Sequence, residues 1–565
     1  MARKIGVYVC ECGTNIADNV DIDKVMERVA PLPDVALVEK YRLLCSEAGK
    51  EYLRQSISEH GLTHLVVAAC SPKQHEGTFM NACEAVGLNP YLFQMVNIRE
   101  QCAWVTADKE EATEKAIRQV RAAVGRVRRH VPLEKKECDV CPDVLVIGGG
   151  IAGMKASQSL ASPERKAFLV EKAPSVGGKV RGFSKLYAGM ESGPALIEQE
   201  LKELQGNEGV EVLTDSQVDQ ILGFFGSFEA KVSGKTEEEE RQLTVGAVIL
   251  ATGFDLLDPA QLSRYGYGEL DDVYTSLEFE AMNLPDGETE GKIVLKNGKP
   301  PKSLAIIHCV GREEKGYCSR VCCMYSLKFA RMVKSQLPDV KVAHVYSDLC
   351  IPGKTGQKFY EETKELGVEF VRGGKTEVAQ DGSVLTVKYE REGGAKGELG
   401  VDMVILVPAM QPAADTGRFA EMLGVPVDEE GFLAREHQLL GPVGSSVGGV
   451  FVVGCAQGPQ SITESVVQAE AAAGKILSAL VPGRKLELEV KTSEISETFC
   501  SGCKTCISVC PYAAINFDES RRIAVVNEVL CHGCGVCAAA CPSGAASVKN
   551  FSSTQIRQEV IELLS

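Results

Sequence analysis

Eight cysteines in the C-terminal part of the chain repeat one pattern, C-x2-C-x2-C-x3-C-P. In this pattern three cysteines hold three corners of one 4Fe–4S cube, and the cysteine before proline ligates the other cube. A zinc site would use four ligands without a crossed duplicate. The pattern therefore predicts two 4Fe–4S clusters, one held by Cys500, Cys503, Cys506 and Cys541 and the other by Cys531, Cys534, Cys537 and Cys510.

A glycine pattern typical of dinucleotide binding, G-x-G-x-x-G, follows the run Asp143–Ile147. Here Gly148, Gly150 and Gly153 let backbone N–H groups and a helix N-terminus approach a pyrophosphate. Glu171 ends the next predicted strand, 18 residues after Gly153, where a carboxylate accepts hydrogen bonds from the adenosine ribose. A later strand that ends in Ala-Thr-Gly is typical of flavoproteins with two dinucleotide folds. We expect FAD to contact Gly148, Gly150, Ala152, Gly153, Glu171, Lys172, Gly178, Lys179, Val218, Ala251, Thr252, Gly253, Gly454, Cys455 and Ala456.

Four further cysteines follow the apolar strand Pro301–His308, where a reductase of this kind would begin its NAD(P)-binding fold. The strand leads into Cys309-Val310-Gly311-Arg312 rather than into a second G-x-G-x-x-G. Cys318 and Cys322 have the i, i+4 spacing of one helix face. We expect a third cluster at this strand–helix junction, in the crevice where nicotinamide would otherwise bind; the alternative is four structural thiols. The expected ligands are Cys309, Cys318, Cys322 and Cys323.

The N-terminal segment has cysteines directly after two predicted buried strands, Ile5–Val9 and Leu65–Ala69. Because the carboxyl ends of neighbouring parallel strands share one crevice, these cysteines are able to converge. Spacing alone does not distinguish a cluster from scattered buried thiols, and Cys102 competes for the place of the fourth ligand. Cys83 lies in a helical stretch and is expected in the core. The predicted ligands are Cys10, Cys12, Cys45 and Cys70.

Three other cysteines have no role that the pattern decides. Cys138 and Cys141 form a C-x-x-C that is either a redox dithiol or a pair of structural thiols. Cys455 follows the last strand where such reductases carry an acid for the ribityl chain, and it is either merely small or close to the flavin ring. The eight histidines are dispersed, so we assign no catalytic acid or base.

An α/β fold is needed to position these groups. The apolar spacing predicts helices over Ile22–Val29 and Thr113–Val127, and strands over Met403–Val407 and Gly449–Gly454 that return to the flavin-binding fold. The expected domains are 1–135, an N-terminal α/β iron–sulfur domain; 140–290 with 405–485, an FAD-binding domain; 291–404, a second Rossmann-like domain with the inserted cluster; and 490–550, a bacterial-type ferredoxin domain.

Composition narrows the class further. A chain of 565 residues is too long for one core. Its net charge of −16 argues against nucleic acid and against anionic membrane surfaces. No apolar run reaches the length of a membrane span, and Ile5–Val9 is too short for a signal-peptide core. We therefore expect a cytoplasmic protein whose 22 cysteines hold metal rather than a disulfide framework.

Seven segments together resemble the HdrA family of heterodisulfide reductase subunits, over residues 1–550. That resemblance implies a thioredoxin-reductase-like flavoprotein with two dinucleotide-binding domains, one FAD, an N-terminal cluster, the inserted cluster and a 2×4Fe–4S ferredoxin domain. It also implies disulfide-reducing and electron-input subunits and ferredoxin as partners, in a homodimer of heteromers. The segments are Val9–Gly13, Ala68–Pro72, Asn97–Trp104, Ile147–Gly153, His308–Arg312, Tyr317–Tyr325 and Gly454–Pro459.

Flavin converts between two-electron and one-electron chemistry, and iron–sulfur cubes carry single electrons. The hypothesis is flavin-based electron bifurcation, with electrons from a partner divided between ferredoxin and a high-potential acceptor. A second reading is a non-bifurcating electron-transfer subunit of a quinone-interacting complex. A third is an NAD(P)H-dependent disulfide or amidotransferase-type reductase, against which the missing second glycine pattern counts. This chain has one pair of ferredoxin-like repeats, fewer than the longer archaeal members have. Electrons therefore have fewer routes out of this chain, or they leave through other subunits.

Overall fold

A computed structural model describes residues 3–236, 239–382 and 384–565. The chain forms two compact units. The first unit consists of the N-terminal segment, which ends at Cys138, and the C-terminal segment Glu487–Ser565. The second unit is Asp139–Leu486.

The N-terminal part of the first unit is a parallel four-stranded sheet with the order β2-β1-β3-β4. Strands β1 and β3 are buried along their whole length because helices cover both faces of the sheet. A short π-helix, Arg99–Ala103, follows the edge strand. The elements are β1 Ile5–Cys10, α1 Thr14–Ala17, α2 Ile22–Val29, β2 Val35–Tyr41, α3 Glu47–His60, β3 His64–Ala69, α4 Pro72–Glu84, β4 Phe93–Asn97, α5 Lys109–Val127 and β5 Glu137–Cys138.

The second unit begins with a parallel five-stranded sheet of order β23-β12-β6-β7-β8, which carries the glycine pattern between β6 and α6. A three-stranded antiparallel sheet, β11-β10-β9, packs on it. Its elements are β6 Val144–Ile147, α6 Ile151–Leu160, β7 Ala167–Val170, α7 Gly193–Gln205, β8 Val210–Leu213, β9 Gln217–Phe224, β10 Ser227–Ser233, β11 Arg241–Val245, β12 Ala247–Leu250 and β13 Phe254–Leu256, with β23 Val450–Val452 and α13 Ile462–Ala479 later in the chain.

A second parallel sheet in the same unit has the order β14-β21-β15-β16-β17. Strand Met403–Pro408 pairs with β15 in this sheet, so its predicted place in the flavin fold is wrong; the returning strand is β23. The elements are β14 Val273–Thr275, α8 Ser276–Met282, β15 Ser303–Val310, α9 Arg312–Lys315, α10 Cys322–Gln336, β16 Lys341–Tyr346, α11 Gly356–Glu365, β17 Glu369–Arg372, β18 Gly374–Asp381, β19 Val384–Glu390, β20 Lys396–Val401, β21 Met403–Pro408, β22 Met410–Pro412 and α12 Thr416–Leu423.

The C-terminal part of the first unit has two short antiparallel pairs, β25 with β28 and β26 with β27. Its last helix, α16, packs on α5, where buried Arg126 donates to Glu559 at 2.9 Å. Sequence reasoning did not assign this helix. The elements are β24 Leu486–Glu487, β25 Ser493–Ile495, α14 Thr505–Ser508, β26 Ile515–Asp518, β27 Ile523–Val526, α15 Val536–Ala540, β28 Ala546–Val548 and α16 Ser553–Leu564.

Among the described residues, none of the helices combines the length and the apolar character needed to cross a lipid bilayer.

Candidate functional site

A cavity of about 980 Å³ lies in the second unit, at the carboxyl ends of β6, β7 and β12. Its wall includes Gly148 and Gly150 at the start of α6, Glu171 after β7, and Thr252 after β12. Parallel sheets bind dinucleotides at this end of their strands. The cavity lies at the upper end of the size range of small-molecule sites, as a dinucleotide needs.

The three glycines of the pattern have different structural roles. Gly148 has φ +106°, and a Cβ there would lie 2.4 Å from the Ala251 carbonyl oxygen. A Cβ on Gly153 would lie 1.9 Å from the Gly148 oxygen, so this glycine lets helix α6 pack on the turn. At Gly150 a Cβ would meet nothing within 4 Å. The empty space at the N-terminus of α6 therefore fits an anionic pyrophosphate.

Glu171 is held in place by the backbone. Its two carboxylate oxygens accept from the N–H groups of Gly149 (2.6 Å) and Ala173 (2.8 Å). Each carboxylate oxygen has a second lone pair, which leaves capacity for ribose hydroxyls on the cavity side.

Polar atoms without partners also face this cavity. Within the described residues, four side-chain oxygens in its wall are buried and accept or donate no hydrogen bond. Buried polar groups are nearly always satisfied in native proteins. Their number here fits a polar ligand such as FAD. They are Tyr187 Oη, Thr252 Oγ1, Tyr325 Oη and Asp415 Oδ1.

Three of the predicted FAD contacts lie outside the wall of the cavity. Gly153 packs under the turn, as described above. Gly454 donates its N–H to Gln468 Oε1 at 2.7 Å, and Ala456 is buried. Those that line the cavity are Gly148, Gly150, Ala152, Glu171, Lys172, Gly178, Lys179, Val218, Ala251, Thr252, Gly253 and Cys455.

A buried ion pair in the cavity wall was missed by sequence reasoning. Lys328 on α10 pairs with Glu280 on α8, and their side chains are 2% and 4% exposed. Lys328 also donates to the Lys185 carbonyl at 2.7 Å, and Glu280 accepts from Ser184 N–H and Oγ at 3.0 Å. Burial raises the pKa of Glu280 and lowers that of Lys328, against their mutual attraction. Charged residues within the two partly apolar helices were the only sequence signal, and both helices carry other charges as well.

The four cysteines between the end of β15 and the start of α10 lie near one another. Cys309, at φ +58°, and Cys323 direct their sulfurs at the same Asp348 carbonyl oxygen, at 4.0 and 3.9 Å. A hydrogen bond with Cys323 and burial raise the pKa of Cys322, and the charges of nearby Cys323, Cys318 and Cys309 raise it further. Helix α10 begins at Cys322 and Cys318 lies in the loop before it, so the predicted helix face shared by these two residues is wrong.

The cysteine-bearing end of α10 is also part of the cavity wall. Arg320, Val321 and Met324 line the cavity on either side of buried Cys322 and Cys323. The cysteine group and the cavity therefore share the first turn of α10. Cys455 lines the cavity too; burial raises its pKa to about 11, which keeps the thiol protonated.

In the N-terminal sheet, Cys10 and Cys70 end neighbouring strands on one face, beside Cys12 and Cys45. Arg99 donates to Cys12 Sγ at 3.4 Å. Burial is the main cause of the raised pKa of Cys10, and the charges of Cys12 and Cys45 raise it further. Burial also raises the pKa of Cys70; the charge of Arg99 lowers that pKa and the charge of Cys12 raises it.

Two further N-terminal cysteines stand apart from this group. Cys102 lies in the core on the opposite face of the sheet. Cys83 is in the core, and burial raises its pKa to about 12. The structure thus places Cys10, Cys45 and Cys70 in one core cluster and Cys102 in another, with Cys12 packed against both.

In the C-terminal segment, Cys510 lines one small cavity together with Cys531, Cys534 and Cys537. This is the crossed set that the motif predicts for the second cube. For the first cube, hydrogen bonds led by that from Thr505 lower the pKa of Cys503, and the charge of nearby Cys541 opposes this shift.

Backbone N–H groups donate to several of these sulfurs, including Ser493 to Cys531 (3.2 Å) and Ala514 to Cys510 (3.3 Å). Burial raises the pKa of Cys541, but hydrogen bonds led by the Ala546 N–H outweigh it and lower the pKa to about 7. Donors of this kind stabilise thiolates.

Across the described part of the chain, no three His, Cys, Asp or Glu side chains are spaced to hold a single metal ion. In a cubane cluster the irons lie between the sulfurs, so its thiolates are farther apart than the ligands of one ion.

Comparison with known proteins agrees with this picture. Residues 142–473 match the family model of pyridine nucleotide-disulphide oxidoreductases, and 499–545 match that of the 4Fe–4S dicluster domain. The chain is 35% identical, over 100% of its own length and 98% of the relative's, to a CoB–CoM heterodisulfide reductase iron-sulfur subunit of Methanopyrus kandleri. It is also 35% identical, over 91% of each chain, to a subunit of the H2:CoB-CoM heterodisulfide,ferredoxin reductase of Methanothermobacter marburgensis.

Among solved structures, thioredoxin reductase of T. acidophilum is similar at 17% identity and a TM-score of 0.42, covering 60% of this chain and 98% of that one. The Lactococcus lactis thioredoxin reductase is similar at 20% identity with the same TM-score, covering 60% and 99%.

The matched family models and the two parallel sheets of the second unit define the class of protein: an oxidoreductase that carries FAD and 4Fe–4S clusters. The predicted fold class is confirmed. The chain belongs to the HdrA family of heterodisulfide reductase subunits, as its resemblance predicted, and its role is electron transfer.

Proposed function

We propose that this chain is the electron-bifurcating subunit of a heterodisulfide-reductase-like complex. It receives electrons in pairs from an electron-input partner and passes them singly, one to ferredoxin and one towards a disulfide-reducing partner. Relatives from two Methanothermobacter species carry both heterodisulfide and ferredoxin in their names, which supports two acceptors. We expect the assembly to be a homodimer of heteromers.

One observation carries the proposal: the cysteine-bearing turn of α10 is part of the wall of the flavin cavity. A reductase that uses NAD(P)H needs open access at this position. Here Cys309, Cys318, Cys322 and Cys323 converge instead and offer ligands for a one-electron carrier. The second sheet is therefore adapted to electron transfer rather than to hydride transfer.

The chain's own residues hold the cofactor. The turn at Gly150 and the N-terminus of α6 receive the pyrophosphate, and Glu171 accepts from the adenosine ribose. When bound, FAD supplies the exchange between two-electron and one-electron transfer. The Lys328–Glu280 ion pair is buried in the same wall and ties helix α10 to helix α8 beside the cavity.

We further propose four 4Fe–4S clusters. Two lie in the ferredoxin segment with the crossed ligands. The third uses Cys309, Cys318, Cys322 and Cys323, and the fourth uses Cys10, Cys12, Cys45 and Cys70.

The test is a coupling assay on the reconstituted complex. Reduction of ferredoxin should require the disulfide acceptor, and the two should be reduced in equal electron amounts. Cys322→Ala/Cys323→Ala should abolish this coupling, whereas Cys141→Ala, whose Sγ contacts the Thr244 carbonyl away from the cavity, should not change it.

Two results would refute the proposal in different ways. Ferredoxin reduced without the disulfide would identify a non-bifurcating electron-transfer protein. Direct bleaching of the purified chain by NADH would identify an NAD(P)H-dependent reductase.

A further inference from the structure

A fifth cysteine lies against the group after β15. Cys350 is in the loop that follows β16, and it packs on the same core as Cys322 and Cys323. The carbonyl of Asp348, two residues earlier, is the oxygen to which the sulfurs of Cys309 and Cys323 both point. The loop therefore lies directly against the cysteine group.

The loop is held in this position. Arg312, just after β15, donates to Asp348 Oδ2 at 2.9 Å, and Arg372 lies 3.6 Å from Asp348 Oδ1. Cys350 is therefore fixed two residues from the carbonyl that the sulfurs of two expected ligands contact, and it packs on the core that contains Cys322 and Cys323.

Among those four, Cys318 is held least firmly. It is exposed in the loop before α10, and its sulfur accepts from the Arg320 N–H at 3.3 Å. Cys322 and Cys323 are 5% and 1% exposed in the first turn of α10. A 4Fe–4S cube takes four thiolates, and with Cys350 this part of the second unit has five cysteines.

We propose that Cys350 is a reserve ligand of the 309–323 cluster, which takes over the iron corner of Cys318 when Cys318 is lost or released. In the exchange the Fe–S bond to Cys318 breaks and one to Cys350 forms. The proton that leaves Cys350 goes to the released Cys318 thiolate or, without Cys318, to solvent. No electron is transferred. The inference rests on the proposed cluster at these cysteines.

The test uses the full-length chain purified without oxygen, with iron per chain as the readout. The wild type should hold about 16 irons in four clusters. Cys322→Ala/Cys323→Ala, which removes two buried corners, should lose about four. Cys318→Ala should keep about 16 and its reduced-state EPR signal, because Cys350 replaces the missing ligand. Cys318→Ala/Cys350→Ala should lose about four, whereas the matched control Cys318→Ala/Cys141→Ala should not.

Alkylation with iodoacetamide, followed by peptide mapping, gives a readout that is independent of iron loading. In the native wild type Cys350 should be labelled and Cys318 protected. In Cys318→Ala, Cys350 should become protected. Equal labelling of Cys350 in both proteins, or loss of about four irons in Cys318→Ala alone, would overturn the reserve role. If Cys322→Ala/Cys323→Ala keeps all its iron, the cluster proposal itself fails, and the two failures are distinguished.

Discussion

Replacing Gly150 by valine separates cofactor binding from folding. Gly150 has φ −73° and ψ −178°, an extended conformation that any residue adopts, and a Cβ there meets no protein atom within 4 Å. The apoprotein should lose at most about 1 kcal/mol, because valine is a poorer N-cap residue than glycine. The valine side chain instead fills the space proposed for the pyrophosphate at the start of α6.

The expected size of the effect follows from linkage. FAD at 100 times its Kd stabilises the wild type by about 2.7 kcal/mol, which raises the Tm of a unit of this size by roughly 4 °C. Gly150→Val should lose this FAD-dependent rise and be isolated with less than a tenth of the wild-type flavin.

The assay is flavin absorbance per chain, together with melting of the deflavinated protein with and without added FAD. Gly474→Ala is the matched control, since its added Cβ also meets nothing within 4 Å but lies on the exposed side of α13, away from the cavity. Gly150→Val protein that binds FAD like the wild type would refute the placement of the pyrophosphate. Apoprotein that fails to fold would refute the account of an empty space there.

Three other perturbations test separate parts of the structure. Lys328→Met leaves Glu280 unpaired in a buried site and should cost about 3–5 kcal/mol in denaturant unfolding, most of it recovered in Lys328→Met/Glu280→Leu; a cost below about 1 kcal/mol would contradict the burial. Cys45→Ala should lose about four irons and Cys102→Ala none; equal losses would place Cys102 among the ligands. Burial lowers the pKa of His130 to about 4, below its unfolded value of about 6.5. The unfolded state therefore binds the proton first, and stability falls as pH drops through this window, by about 2 kcal/mol between pH 7 and pH 5. His130→Gln should remove that share of the pH dependence in urea unfolding, and an unchanged slope would show that His130 is not its source.

Most of the site predictions came from local spacing in the sequence. The first three ferredoxin cysteines of each repeat lie in one tight loop, so their spacing predicts which sulfurs approach each other. The cysteine before proline completes the cube of the other repeat, which the duplicated pattern predicts. The glycine turn is equally local, since the strand, turn and helix are consecutive. For the N-terminal group, the shared crevice of parallel strands predicted four cysteines. Cys102 lies in the π-helix after β4 and packs in a different core cluster from Cys10, a position that strand periodicity does not predict.

Non-local pairings were not predictable in this way. Glu280 and Lys328 are 48 residues apart on two helices, and nothing in either helix indicates the partner. Strand Met403–Pro408 is apolar throughout and suits the centre of either parallel sheet, so only its pairing with β15 shows which one it joins. Cys350 is distant in sequence from the C-x8-C-x3-C-C pattern, and the loop after β16 brings it there.

The most direct test is the cofactor content of the chain as isolated without oxygen. We predict about one FAD and about 16 irons per chain, with about four irons lost in Cys322→Ala/Cys323→Ala while flavin is retained. Stoichiometric NAD(P) in place of those four irons would contradict the central claim, that an iron–sulfur carrier stands beside the flavin where nicotinamide otherwise binds.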